Sequence, residues 1–520
     1  MDGVSLLKSS PHRTGLRRWW GAPTGFFIVI WVGLLWAGRD KMLRDPGTLW
    51  HTVVGERILQ TGHLVHTDPF SFTEHGQEWI AQQWIGECAM AFIHRIAGLD
   101  GLVLATATLL AALFAWLAAR LLRTGLQWPA VALLLFLVIA ASSYHFIPRP
   151  HLITIALLAW TTALLCDVES GRAGARRLLW LPLVFVFWTN VHGGVLGGIA
   201  TAFIVQMAWL LRLVPSMRRC DRAAVIKPVI IAASLSLSFV AVLVNPYGAA
   251  LPRVWLSLMN SDLLPRLMVE HAPLRLLSVE GLMILTLAAV YLALLATMWR
   301  RGLRATWLVP LVWLLLAFSR VRHGPLFAVT AAVAIADMLP LSTMPAWFAR
   351  RGSDLFKAAR CSKLGGVRIA AIPATLVLLA VVLQTAGIRC PLIGAGWCRL
   401  NGRYWPVAAT RVLDDYVAKH PADRRVFNDM LFGGYLIYRA PKTLVYIDDR
   451  CELYRQSGLR RYVELHDHPA RLEGLAAIDG LRLALVQSRS PMARYLGKSP
   501  NWSTLHHDAT AALFLRKARP

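Results

Sequence analysis

Residues 39–87, RDKMLRDPGTLWHTVVGERILQTGHLVHTDPFSFTEHGQEWIAQQWIGE, gather carboxylates, histidines and tryptophans directly after an apolar run. Asp45, between Arg44 and Pro46, is open to two readings. It is a base that takes the proton of an attacking hydroxyl, or it is a helix N-cap followed by proline at the first helical position. Asp68 precedes Pro69 in the same manner, so a turn or cap stands beside an acid–base role there as well. Glu87 opens the next helical stretch, either as a second acid or as a solvated charge.

A second group of polar residues recurs at the ends of apolar runs. It comprises His145, Arg149 and His151 in YHFIPRPH, Asn190 and His192 in WTNVHGG, Asn245 and Tyr247 in NPYG, and Arg320, Arg322 and His323 in SRVRHGP. Ionisable groups at membrane depth are costly and usually face a protein-lined cavity. The planar guanidinium fork matches phosphate oxygens, which makes Arg149 and Arg322 candidates for gripping a phosphate. The competing reading is that they snorkel to the headgroup layer. His145, His151 and His271 are expected as buried hydrogen-bonding residues, whereas Gly193 and Gly194 after His192 allow close approach by a ligand. Trp50, Trp79 and Trp84 either anchor the interface or stack on a bound ring or chain. Asp448, Asp449 and Glu452 surround Arg450 and offer hard oxygens to a divalent cation, or else a loop salt bridge to Arg450.

The elements that must position these residues follow from composition. Of the 520 residues 56% are hydrophobic and 16% charged, which makes the bilayer the natural solvent. Windows of roughly 17 to 25 apolar residues predict about eleven spans near residues 24–38, 100–122, 128–147, 150–167, 177–192, 194–213, 226–244, 278–299, 303–319, 323–341 and 366–387. The first lacks a small-residue cleavage site and reads as a retained helix. The net charge of +26 falls in alternate loops, from Lys8, Arg13, Arg17 and Arg18 through Arg218, Arg219 and Arg222 to Lys357, Arg360 and Lys363. That pattern excludes a nucleic-acid surface and, by the positive-inside rule, places the N-terminus in the cytoplasm and the C-terminus outside. Cys166, Cys220 and Cys361 lie near cytoplasmic ends, while Cys390 and Cys398, both outside, are expected to pair in an oxidising compartment. Around 48–60 the spacing predicts an interfacial helix, and the segment between Val244 and Gly281 a surface-lying one. Beyond residue 400, helical Val407–Lys419 alternates with short apolar runs at Thr443–Ile447, Leu481–Gln487 and Ala511–Leu515. The fold class is therefore an all-α polytopic membrane protein with a small C-terminal α/β extracytoplasmic domain. Its parts are a cytoplasmic N-terminus (1–23), a transmembrane domain (24–387, including a first external loop 39–99) and the external domain (388–520). No phosphate-binding loop, zinc-spaced cysteine pair or nucleophile elbow appears.

In arrangement the sequence resembles the GT-C superfamily of integral-membrane glycosyltransferases. Asp45 matches the acidic site of that superfamily's first external loop, GERILQTG (residues 55–62) its surface helix and turn, and DPFSF (residues 68–72) the segment that follows. Several members carry two adjacent acids there, whereas Asp45 has none beside it. It also looks like a bacterial membrane-protein group with D-P-x-x-x-W-H, D-P-F-S-F-T, R-P-H, N-x-H-G-G and N-P-Y-G signatures, spanning about residues 45–250. The resemblance implies transfer of a sugar from a polyprenyl-phosphate carrier to a lipid or glycan acceptor at the outer face of the cytoplasmic membrane. The candidate catalytic acids are Asp45, Asp68 and Glu87, and the candidate substrate-binding residues are His51, Arg149, His192, Asn245, Tyr247 and Arg322. No cofactor is fixed by the sequence, and a divalent cation stays open. Rival readings are a transporter or lipid flippase, with a site near the midplane on interrupted helices, and a non-catalytic membrane assembly protein.

Overall fold

A computed structural model describes residues 21–217, 222–356 and 366–517. The N-terminal basic stretch with Lys8, Arg13, Arg17 and Arg18, together with Cys220 and Cys361, lies outside the described residues.

Among the described residues fifteen α-helices precede the C-terminal domain: α1 (Ala22–Gly38), α2 (Pro46–Thr61), α3 (Trp84–Leu122), α4 (Trp128–Ser142), α5 (His151–Glu169), α6 (Trp180–Val191), α7 (Val195–Met217), α8 (Arg222–Ala241), α9 (Ala250–Met259), α10 (Leu264–Leu267), α11 (Val279–Met298), α12 (Ala305–Ser319), α13 (Gly324–Met338), α14 (Met344–Arg350) and α15 (Gly366–Thr385). Each apolar run expected to span contains one of them. Among the described residues six helical segments are long and apolar enough to cross a membrane, and four shorter apolar helices accompany them. Large apolar side chains remain uncovered on the bundle's outside, among them Trp36, Phe92, Phe136, Leu183 and Leu315, as expected of a surface solvated by lipid. Gly98 breaks α3 with φ 60° and ψ −148°, so the helix bends between the outer loop and the bundle.

One expected feature takes a different form. Cys390 and Cys398 are free thiols rather than a disulfide. Their segment is closed instead around the Asp100 carboxylate, which accepts the N–H groups of Gly396 (2.8 Å) and Cys398 (2.7 Å). In the segment expected to lie on the membrane surface, α9 turns Leu251 and Trp255 inward while Leu256 and Met259 stay exposed.

The C-terminal domain comprises α16 (Val407–Lys419), β1 (Arg425–Asn428), α17 (Met430–Arg439), β2 (Leu444–Val445), α18 (Cys451–Asp467), α19 (Arg471–Ile478), β3 (Leu483–Gln487), α20 (Pro491–Leu496), β4 (Trp502–His507) and β5 (Ala511–Arg516). Its sheet has the order β2-β1-β3-β5-β4. The first three strands are parallel, and β5 and β4 antiparallel. The free edge of β2 is not left open. Phe72 donates its N–H to the Val445 carbonyl and Val445 donates to the Phe70 carbonyl, both at 3.0 Å. The first external loop thus adds itself to the sheet as an edge segment, which satisfies backbone groups that an open edge would expose. On the same side Gly434 of α17 lies against the Pro46 carbonyl at the start of α2, with which a methyl in its place would collide.

Candidate functional site

Asp45 is the N-cap of α2, and its Oδ2 accepts the Thr48 N–H at 2.8 Å. That oxygen also faces Arg149 Nε at 2.9 Å. Both interactions fall on Oδ2, and Oδ1 accepts no hydrogen bond among the described residues. The two sequence readings of Asp45 are therefore compatible in space, since the cap uses one oxygen and leaves the other for a proton. Arg149, in the turn before α5, reaches α2 only because residue 47 is glycine. A methyl there would collide with the Arg149 guanidinium.

Arg149 is met by two further carboxylates. Its Nη2 donates to Asp449 Oδ2 at 2.6 Å, and Glu270 lies 3.6 Å from Nη1. Asp449 comes from the loop after β2, and its other oxygen accepts the Trp50 indole N–H at 2.8 Å. The cluster continues through Glu270 to His271 (3.6 Å) and Arg322 (3.9 Å), and Arg322 Nη1 donates to His271 Nε2 at 2.6 Å. Three carboxylates thus face two guanidiniums.

Burial raises the Asp45 carboxyl above its ordinary value, with Arg149 pulling the other way. Burial pushes Asp449 up to about 7 against the same arginine. Glu270 is also penalised by burial, but Arg322 and Arg149 outweigh it and hold Glu270 well below the usual carboxylate range. Burial and then Arg322 lower His271 to about 3, so it is neutral and accepts from Arg322. The cluster's spare proton therefore belongs with the Asp45 and Asp449 pair. Of the arginines, Arg322 has unused donors. Its side chain is 31% exposed, and its Nε and Nη2 make no hydrogen bond among the described residues.

A histidine group lies beside the cluster. His51 sits one turn along α2, tilted 33° against Trp50 (3.6 Å between centroids), and its Nδ1 lies 2.9 Å from Glu87 Oε1. Burial, then Arg149, push His51 well below its ordinary value, so the ring is neutral and shares a hydrogen bond with Glu87. The two helices approach closely because residue 55 is glycine, where a methyl would collide with the Glu87 carbonyl. His192 accepts the Gly194 N–H on Nδ1 at 3.0 Å, with the Thr154 hydroxyl also at 2.9 Å. Trp188 donates to that hydroxyl at 2.8 Å. Such partners place the His192 proton on Nε2. Its ring is 6.3 Å from that of His151, and His151 Nε2 donates to the His145 carbonyl at 2.9 Å. The close approach at Gly193 and Gly194 is by Trp255, Thr154 and His192 of the chain itself.

Three sequence candidates stand apart. Asp68 is buried, with Oδ2 accepting the Ser71 N–H (2.9 Å) and hydroxyl (2.5 Å) and Oδ1 accepting from Arg450 Nη1 at 2.7 Å. Asn245 is spent on its own turn, donating to the Val242 and Gly248 carbonyls and accepting from the Tyr247 N–H. Tyr247 points toward the Val65 carbonyl, 3.5 Å away. The acids considered for a cation diverge. Asp448 takes Arg450 and Tyr454, Asp449 takes Trp50 and Arg149, and Glu452 takes Trp79. Among the described residues no group of three or more His, Cys, Asp and Glu side chains is arranged to hold a metal ion.

Glu270 was missed by the sequence reasoning, and Asp449 was placed there only with a cation or salt bridge in view. The signal for Glu270 was an acid beside a histidine in an otherwise apolar stretch, MVEHAP. Asp449 carried none beyond its acidic neighbours, because its partner Arg149 is 300 residues away.

No protein-family model and no curated protein matches the chain. Solved structures similar to it include two of ArnT from Cupriavidus metallidurans. The apo-state structure is 13% identical, with a TM-score of 0.44. The one bound to undecaprenyl phosphate is 13% identical, with a TM-score of 0.40. Each comparison covers 95% of this chain and 98% of the other.

Proposed function

We propose that the chain is a membrane glycosyltransferase that moves a sugar from a polyprenyl-phosphate carrier to a lipid or glycan acceptor, with the Asp45 cluster as its site. The observation that carries this reading is the pairing of an unoccupied carboxylate oxygen, Asp45 Oδ1, with a guanidinium that has spare donors, Arg322, in one connected cluster. The loop motifs that resemble the GT-C superfamily support it, since the acid they single out is Asp45. In this reading all eleven apolar runs cross the cytoplasmic membrane, the N-terminus is inside, and residues 388–520 form the external domain over the site.

The chemistry needs little more. The acceptor hydroxyl gives its proton to Asp45 Oδ1 while its oxygen bonds to the anomeric carbon. The bond from that carbon to the phosphate oxygen breaks, and the polyprenyl phosphate leaves with the electron pair. Arg322 receives the charge that develops on the phosphate. Arg149, already shared by three carboxylates, positions Asp45 and takes phosphate only as a carboxylate gives way. His51, His192 and Glu87 form the neutral polar wall beside them.

The test is binding of a polyprenyl phosphate to purified protein in nanodiscs, compared with Arg322→Gln. Removing one charge-assisted hydrogen bond at a partly exposed site lowers affinity by roughly tenfold. No measurable binding by the wild type, or equal binding by both proteins, rejects the assignment.

A further inference from the structure

The end of the bundle away from the Asp45 cluster holds a cavity lined by tryptophans and charged side chains. Along α5 the chain runs from His151, beside the cluster, to Asp167, a rise of about 24 Å at ~1.5 Å per residue. That is comparable to the ~30 Å of bilayer hydrocarbon. At this far end Trp116 and Arg120 of α3, Trp160 and Asp167 of α5, and Arg177 and Trp180 at the start of α6 line a cavity of about 390 Å³. The volume is in the ~300–1,000 Å³ range of small-ligand sites.

The lining selects for charge. Asp167 is neutralised twice, by both terminal nitrogens of Arg120 (3.0 and 3.2 Å) and by Arg172 (2.9 Å). Arg120 lies 5.5 Å from the Trp116 ring centre, so that aromatic face already has its cation. Arg177 is exposed and forms no ion pair among the described residues, and Trp180 is 61% exposed. An unpaired guanidinium among tryptophans at the depth of the headgroups suits a phosphodiester joined to an acyl chain. The indoles cover the glycerol and first methylenes, and the cation meets the phosphate. A choline or ethanolamine headgroup brings a cation that finds no unpaired carboxylate here.

We infer that this cavity binds the headgroup of an anionic phospholipid in the leaflet opposite the Asp45 cluster, with Arg177 as the selecting residue. It does not depend on the glycosyltransferase reading. The test is native mass spectrometry of the detergent-solubilised protein with equal amounts of phosphatidylglycerol and phosphatidylcholine. Phosphatidylglycerol should be retained preferentially, and Arg177→Gln should reduce the preference about fivefold, as expected for one arginine at a lipid surface. Quenching of tryptophan fluorescence by phosphatidylglycerol with brominated chains should fall in Trp180→Phe. Equal retention of the two lipids by the wild type overturns the inference, as does a preference that survives Arg177→Gln or quenching unchanged in Trp180→Phe.

Discussion

Replacing Asp45 by Asn separates its two tasks. Asn caps a helix about as well as Asp, so the Thr48 N–H keeps its acceptor. Arg149 loses one carboxylate but retains Asp449 at 2.6 Å and Glu270 at 3.6 Å, and the cluster falls from three carboxylates against two guanidiniums to two against two. No buried charge is stranded, so the stability cost should stay within about 1 kcal/mol. The rate should fall far more. Losing a general base commonly costs on the order of 10² to 10⁴, equivalent to roughly 3–5 kcal/mol of barrier. Asp45→Ala should lose about 1 kcal/mol of further stability through the missing cap, with no further loss of rate. The assay is sugar transfer from a polyprenyl-phosphate donor at matched folded amounts, with thermal unfolding measured alongside. Near-wild-type turnover by Asp45→Asn would refute the reasoning, leaving Asp45 a cap and moving the base to Glu87.

Gly47→Ala should improve the helical propensity of α2 by up to ~1 kcal/mol while driving Arg149 out of its place. Polyprenyl-phosphate turnover should drop at least tenfold with folding intact, and unchanged turnover would show that Arg149 is dispensable. Because Asp449 is pushed up to about 7, protonation as pH falls from 8 to 6 removes a competing anion from Arg149. Affinity for polyprenyl phosphate should therefore rise on acidification, and Asp449→Asn should flatten the dependence. A slope of opposite sign, or one that the variant leaves unchanged, counts against that competition. Asp68→Asn takes one partner from Arg450, which is fully buried, and should cost roughly 3–5 kcal/mol. A melting temperature equal to wild type would show that this ion pair does not hold the domains together.

Local and long-range features differed in how far the sequence revealed them. The apolar runs marked where helices lie because burial in lipid requires nearly continuous apolar sequence. The Asp45 cap was legible because cap, proline and amphipathic spacing all fall within α2. Val407–Lys419 and the strand runs at Leu444, Leu483 and Ala511 were legible for the same reason. Strands β1 and β4 were not, since RVFN is too short to show a period and WSTLHH carries mixed polar side chains. The cysteine pairing was expected from compartment and proximity alone. Nothing local showed that Asp100, almost 300 residues earlier, closes that segment through two backbone N–H groups. Glu270 and Asp449 join the site by the same kind of remote meeting, and DPFSF, read as part of a transferase loop, turns out to be an edge segment for a sheet whose strands lie far downstream.

That edge segment bears on how the site is held. Asp448, Asp449 and Arg450 are consecutive, yet they serve two structures. Asp448 pairs with Arg450 at 2.7 Å, and Arg450 reaches Asp68 at the foot of the docked segment, also at 2.7 Å. Asp449, between them, turns the opposite way to Arg149 and Trp50. The three residues are consecutive, with a bend at Asp449, so the contacts that fix Asp448 and Arg450 also limit where Asp449 can point. A shift of the docked segment that took Asp68 from Arg450 would loosen the loop that also presents Asp449 to Arg149. The external domain's attachment and the charge balance around Asp45 are thus set by the same three residues, and a lesion at Asp68 should be felt at the Asp45 cluster despite making no contact with it.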